Sequence, residues 1–245
     1  ADNIPERYLL KLPFKITSLL LDTLSMPVDF LTGKLDIFHG PFFSVPRCLR
    51  CRPIVTIHDL MAIRHPEFLT PDAAFFFKKR LNSAWKADAI IAVSDFTKRE
   101  VEELLRIEGE RIRVIHNGID AVFHPVKDCA ETERITAKYG IKRPYLLFVG
   151  NIEPKKNIES LLRACALLRN STKYDYPLVI VGKKAWGFQS VWRVVQELQA
   201  EDDTIFTGVV DNNDLPYLYS GAELFVFPSL FEGFGIPVVE AMACG

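Results

Sequence analysis

The chain has 245 residues, is 49% hydrophobic and 25% charged, and carries a formal net charge of -1. That balance belongs to a globular chain with a real core, long enough for one large domain or two small ones, and it gives no general electrostatic case for nucleic acid or an anionic membrane. The five cysteines are odd in number and argue against a disulfide scaffold, and Cys48 with Cys51 forms a single Cys-x2-Cys pair, short of the four ligands a structural zinc site wants. A reducing compartment is the expectation.

Residues 1–35 carry no motif. Their most apolar run, 16–31, is interrupted by Asp22, Pro27 and Asp29 and is short for a membrane span. It is expected as a helix covering a sheet; the alternative is a helix lying on a bilayer surface beside Lys11 and Lys15. Leu19 to Leu24 suggests the helix itself, and Gly33-Lys34 a turn. Leu35 to Phe38 reads as a short strand ending at His39-Gly40, and Pro53 to Ile57 as a strand running straight into His58-Asp59. A histidine at the carboxyl end of a parallel strand stands where open α/β sheets bind ligands. Taken alone, His58 is more readily a histidine satisfied by a neighbouring backbone group. A helix over 71–86 follows, then a strand over Ala89 to Val93, then Ser94 as the cap of a helix with Val101, Leu104 and Leu105 on one side. Arg111 to Ile115 is another strand, ending at the turn signal His116-Asn117-Gly118.

Residues 119–143 turn polar, with Pro125 and a charged run from Glu131 to Arg134, and the domain boundary is placed there: 1–122, a linker over 123–143, and 144–245. Tyr145 to Val149 opens a second α/β unit and leads to Asn151, Glu153, Pro154, Lys155 and Lys156. Asn157 is expected to cap the next helix, whose inward face is Ile158, Leu161, Leu162, Cys165 and Leu168. Strands over Pro177 to Val181 and Thr204 to Gly208 alternate with helices over 186–199 and Asp211 to Tyr219. Strands that are apolar throughout and alternate with helices make parallel sheets covered on both faces. Lys155 and Lys156, between a strand and a helix, would by themselves be a solvated pair. At the mouth of such a sheet they are the cations a diphosphate needs.

The last stretch, Leu224 to Gly245, carries the most chemistry. Apolar residues lead into Pro228-Ser229; the loop Phe231-Glu232-Gly233-Phe234-Gly235 follows; then a helix starts near Pro237. A Gly-rich loop and a first helical turn together make an anion site. Glu232 and, eight positions on, Glu240 bracket it. A carboxylate beside an anion site suits the hydroxyl groups of a sugar or ribose rather than the anion itself.

FEGFGIPVVEAMACG with its Glu-x7-Glu spacing resembles the donor-site signature of the family-4 retaining glycosyltransferases of the GT-B fold. The strings TIHDL, IIAVSDFTKREVEELL, IRVIHNGID, LLFVGNIEPKKN and LYSGAELFVFPSL extend the resemblance from about Asp36 onward. Glu153-Pro154-Lys155-Lys156-Asn157 is most similar to the string of the bacterial mannosyltransferase group. The resemblance implies two Rossmann-like lobes with parallel sheets flanked by helices. It also implies transfer of a sugar, mannose before glucose, from a GDP- or UDP-sugar to a hydroxyl of a growing polysaccharide or lipid-linked glycan. It implies no metal or other cofactor and no nucleic acid. The setting is cytoplasmic, with peripheral contact at the inner face of a membrane. Among site residues it assigns Lys156 to the diphosphate, Glu232 to the donor sugar, Glu240 to the ribose, and the backbone of Phe234, Gly235 and Ile236 to sugar and diphosphate. Gly150, Asn151 and Lys155 line the diphosphate, Val209 and Val210 face the base, and His58 lies near the sugar's outer hydroxyl and the reacting face.

Two features depart from the family pattern. Asn151 stands where many members have Arg, which leaves Lys155 as the substitute cation. Both ends look cut, so both lobes are expected to be incomplete. A sugar-phosphate or glycogen-type synthase of the same architecture, and a non-catalytic relative, are the alternatives.

Overall fold

The computed structural model describes residues 26–142, 144–172 and 174–245. The chain divides into two compact units, Ala1–His116 and Asn117–Gly245. The apolar run expected as a helix over 16–31 lies outside the described residues as far as residue 25; its end, Asp29–Thr32, is a single helical turn. The Asp29 carboxylate accepts the backbone N–H groups of Leu49, Arg50 and Cys51 at 2.8, 3.2 and 3.3 Å. These bonds hold its own pKa below the ordinary value and shape the Cys48–Cys51 turn. Burial and the neighbouring Cys51 push the Cys48 thiol up to about 12.

In the first unit four strands, β1 (Ile37–Gly40), β2 (Arg52–Ile57), β3 (Ala89–Ala92) and β4 (Ile112–Val114), pair in parallel in chain order. Helix α1 (Pro71–Leu81) begins where Pro71 needs no N–H donor, with the Thr70 hydroxyl accepting from the Ala73 N–H. The helix expected to reach residue 86 is α-helical only to Leu81; Asn82–Lys86 tightens into a 3-10 turn. Helix α2 (Asp95–Leu105) is capped by Ser94, whose Oγ accepts the Thr97 N–H at 3.0 Å. Val55, Ile57, Ile90, Ala92 and Ile112 from the strands pack with Leu60, Leu81, Val101 and Leu105. Beside this core the buried Glu100 accepts from Arg64 Nη2 at 2.7 Å, and the same nitrogen reaches the exposed Glu103 at 2.7 Å.

In the second unit β5 (Leu146–Val149), β6 (Leu178–Val181), β7 (Thr204–Gly208) and β8 (Leu224–Phe225) form a parallel sheet in the order β7-β6-β5-β8. Every residue of β5 and β6 is buried, as apolar runs between two helical layers must be. Alternate side chains face opposite layers. Leu146, Phe148, Leu178 and Ile180 pack on α4 (Ile158–Ser171) and α5 (Phe188–Glu197). Leu147, Val149, Val179 and Val181 pack with residues of α3 (Cys129–Lys138), α6 (Leu215–Gly221) and α7 (Ile236–Cys244). The chain therefore winds β5-α4-β6-α5-β7 along one layer, crosses by α6 on the other, and returns to place β8 beside β5.

The polar stretch 123–143, read as a linker, holds α3 and lies within the second unit. Asp128 caps the helix by accepting the Glu131 N–H at 3.0 Å. Only Thr132, Ile135 and Thr136 of α3 are buried, which is why its sequence looks like solvated chain. Lys138 and Tyr139 both bond Asp214 at 2.7 Å and fix α3 against the start of α6.

Candidate functional site

Strands β5 and β8 are neighbours in the sheet, yet the chain leaves them in opposite directions. This is a topological switch point, and open α/β sheets bind ligands in the crevice beyond it. The two strands pair only through Leu146 with Leu224 and Leu147 with Phe225, and the last ladder bond runs from the Val226 N–H to the Leu147 carbonyl at 2.8 Å. Beyond it residues 227–235 leave the sheet, facing the 150–157 loop that follows β5.

Glycine shapes the first loop. Gly150 has φ +154, and a Cβ there would stand 3.2 Å from the Phe148 ring and 3.5 Å from Lys156 Cε. A Cβ on Gly182, at the end of β6, would meet the Gly150 carbonyl oxygen at 2.1 Å. The loop then makes a 3-10 turn, Pro154–Lys156. Asn157 occupies the position before α4 but caps nothing with its side chain, contrary to expectation. It is left-handed, φ +55, and its Nδ2 donates to the Pro228 carbonyl at 3.3 Å. Asparagine tolerates this conformation better than most residues, and the tertiary bond to Pro228 replaces the local one. A second tie runs from the Leu230 N–H to the Lys155 carbonyl at 2.8 Å.

These ties bring three charges together. Lys156 is buried, 8% exposed, and its Nζ donates to Glu232 Oε1 at 2.5 Å. The same ammonium lies 4.8 Å from the centroid of the Phe227 ring, a cation–π contact. Lys155 Nζ stands 3.7 Å from the other carboxylate oxygen, Oε2. One negative charge thus faces two positive ones in a largely desolvated pocket, and the positive surplus suits an anionic ligand. Glu240 is held elsewhere, on α7, where its Oε2 accepts from Tyr219 Oη at 2.8 Å. Burial raises the Glu240 carboxyl above its ordinary value, while the Tyr219 hydroxyl lowers it. Burial and the adjacent carboxylate drive the Tyr219 phenol well above its own. Gly235, at φ +89, sets the entry to α7, and Pro237 sits in its first turn.

The remaining expected residues divide between the two units. Asn151 is exposed, Phe234 is half-buried and Ile236 is 40% exposed. Val209 is 76% exposed after β7, whereas the Val210 side chain is buried in the core, so only its backbone can meet a ligand. In the first unit, His58 follows β2, and its Nε2 donates to the Pro41 carbonyl at 2.8 Å. A carbonyl only accepts, so Nε2 carries the proton. The Thr97 hydroxyl donates to the His58 carbonyl at 3.4 Å, and the Phe43 ring packs edge-on at 5.4 Å. Sequence reasoning missed Tyr219 and Phe227. Tyr219 lies inside the LYSGAELF string and is flagged by nothing but that context. Phe227 precedes a proline and reads as core.

Among the described residues no group of three or more His, Cys, Asp or Glu is placed to hold a metal ion. Among the same residues no helix is long and apolar enough to cross a membrane.

Comparison with known proteins gives two adjacent family matches. "Glycosyltransferase Family 4" matches residues 5–123 and "Glycosyl transferases group 1" matches residues 131–245. The O-antigen chain mannosyltransferase B of Escherichia coli is 36% identical over 211 residues, covering 85% of this chain and 55% of that protein. The O-antigen chain mannosyltransferase RfbU of Salmonella typhimurium is 30% identical over 189 residues, covering 77% of this chain and 49% of that one. The chain thus spans about half the length of these relatives. In fold it is similar to Anabaena HepE, solved in complex with UDP and glucose, with a TM-score of 0.63 at 22% identity over 79% of this chain and 51% of that one.

Proposed function

The chain belongs to the GT-B glycosyltransferases grouped as family 4 and as glycosyl transferases group 1, and we propose that it works as a retaining glycosyltransferase. It moves a hexose, mannose before glucose, from a GDP- or UDP-sugar to a hydroxyl of a growing polysaccharide or lipid-linked glycan. The observation that carries this reading is the Lys155–Lys156–Glu232 cluster at the switch point between β5 and β8, with Glu240 eight residues on. The names of the mannosyltransferase relatives support the sugar.

The leaving diphosphate gains negative charge while the anomeric carbon turns positive. Preorganised cations and helix N-terminal dipoles stabilise such a leaving group more in the transition state than in the ground state. Lys156 is the first cation and Lys155 the second, taking the place of the arginine that Asn151 replaces. Gly150 and the backbone at Phe234, Gly235 and Ile236 border the diphosphate. Glu232 holds sugar hydroxyls, Glu240 holds the ribose, and the backbone at Val209 and Val210 faces the base. His58, its Nε2–H committed to Pro41, presents Nδ1 to a sugar hydroxyl as an acceptor. Attack on the same face as the departing phosphate, with that phosphate taking the acceptor proton, needs no covalent role for Glu232.

The five cysteines are free thiols, as a reducing compartment keeps them. We place the reaction in the cytoplasm, at the inner face of a membrane where a lipid-linked acceptor presents its hydroxyl, a setting with which the free thiols are compatible. The test is transfer of labelled sugar from GDP-mannose, UDP-glucose and other nucleotide sugars to lipid-linked glycan acceptors. Transfer from one donor supports the proposal. A chain that is folded, binds nucleotide and yet transfers nothing from any donor is a non-catalytic relative.

A further inference from the structure

We propose that Glu232 makes the donor site discriminate between an intact nucleoside diphosphate sugar and the spent nucleoside diphosphate. The inference rests on the nucleotide-sugar reading above and concerns the same site. Its starting point is that the ammonium assigned to the diphosphate already has an anion on it. Lys156 Nζ lies 2.5 Å from Glu232 Oε1, and Lys155 Nζ lies 3.7 Å from Oε2. The side chains are only 10%, 12% and 22% exposed for Lys156, Lys155 and Glu232. The Asn157–Pro228 and Lys155–Leu230 bonds tie the two loops together and oppose withdrawal of either partner. A phosphate that reaches Lys156 therefore meets the Glu232 carboxylate.

Two ligands resolve that conflict differently. A nucleoside diphosphate sugar brings a phosphate for Lys156 and, next to it, hydroxyl groups that donate to the displaced carboxylate. Each charge exchanges one partner for another. A nucleoside diphosphate without its sugar brings the phosphate alone. Glu232 then loses the close partner Lys156, keeps only Lys155 at 3.7 Å, gains no donor and faces a new negative charge in a poorly hydrated pocket. Leaving a largely desolvated carboxylate without its hydrogen-bonded partner, beside a second anion, is the costly case. Glu232 thus admits the donor and expels the product left after transfer, and the internal ion pair re-forms behind the departing nucleotide.

The test is calorimetric binding of UDP, UDP-glucose, GDP and GDP-mannose to the 245-residue chain, in wild type, Glu232→Gln, Glu232→Asp and Glu240→Gln. The readout is the ratio of the dissociation constant of the free nucleotide to that of its sugar. In Glu232→Gln the amide still serves sugar hydroxyls but no longer competes for Lys156. Free nucleotide should bind about tenfold tighter and the ratio should fall by about that factor. Glu232→Asp keeps the charge and should keep a ratio near that of wild type. Glu240→Gln should weaken both members of each pair alike. An unchanged or rising ratio in Glu232→Gln, or an equal fall in Glu232→Asp, overturns the inference and leaves the nucleotide-sugar reading in place. Folded protein that binds none of the four ligands, wild type and variants alike, overturns both.

Discussion

Replacing Tyr219 by Phe removes one oxygen and leaves the ring in its contacts with Phe123 and Phe225, whose centroids lie 6.0 and 5.4 Å away. What is lost is the 2.8 Å bond to Glu240 Oε2. A hydrogen bond to a charged group contributes about 1.5–3 kcal/mol. At roughly 3 °C per kcal/mol for a unit of this size, the thermal midpoint should fall by about 5–9 °C near neutral pH. The sign of the pH dependence follows from Glu240. Burial raises its carboxyl above 4.5, so the fold disfavours the ionised form. The stability this group contributes is fully present below 4.5 and is lost as pH rises through the raised value. Without the Tyr219 hydroxyl the value rises further, so the gap between variant and wild type should open with rising pH and narrow in acid. Thermal unfolding across pH for wild type, Tyr219→Phe, Glu240→Gln and the double variant reads all of this. The double variant should show a coupling of about 1 kcal/mol or more. Additive losses, or a gap that does not change with pH, would refute the idea that Tyr219 holds an ionised Glu240.

Glu232→Gln and Glu240→Gln should separate in steady-state sugar transfer: the first lowers kcat, the second raises the donor KM about ten- to a hundredfold with kcat retained. Arg64→Met strands the buried Glu100 and should lower stability in denaturant unfolding more than Glu103→Gln, which strips only the exposed partner. Gly182→Ala drives a Cβ toward the Gly150 carbonyl oxygen at 2.1 Å. It should lower stability by about 1–3 kcal/mol and displace the loop that carries Lys156, which a paired nucleotide titration would detect as weaker binding.

What could be read from the chain depended on how far apart the interacting residues stand. Runs such as Leu146–Val149 and Leu178–Val181 declare a strand covered on both sides, and Ser94 and Pro237 declare helix starts, because those signals are local. The meeting of Lys156 with Glu232 spans 76 positions and that of Tyr219 with Glu240 spans 21, and no local pattern encodes either distance. The family signature identified three of those four residues, with no indication that two of them would be bonded to each other. Asn157 misled because a capping residue and a left-handed residue share the same chemistry, and the choice between them was made by Pro228, far along the chain. The 119–143 stretch misled because a helix that buries three residues of ten spells mostly polar sequence.

The brevity of β8 has a consequence for how such a site can change. Its register with β5 rests on the pairing of Leu224 and Phe225, bounded by backbone bonds from the Glu223 N–H to Tyr145 and the Val226 N–H to Leu147. One residue inserted before Leu224 would turn each of their side chains to the opposite layer and undo the packing. One residue inserted after Val226, where the ladder has ended, would leave the pairing of β8 as it is and act instead on Phe227, Pro228 and Leu230, which hold the Glu232 segment to Phe148, Asn157 and Lys155. The short strand thus separates two kinds of change: a shift before Leu224 falls on the packing of the sheet, and a shift after Val226 falls on the ties that set where Glu232 stands.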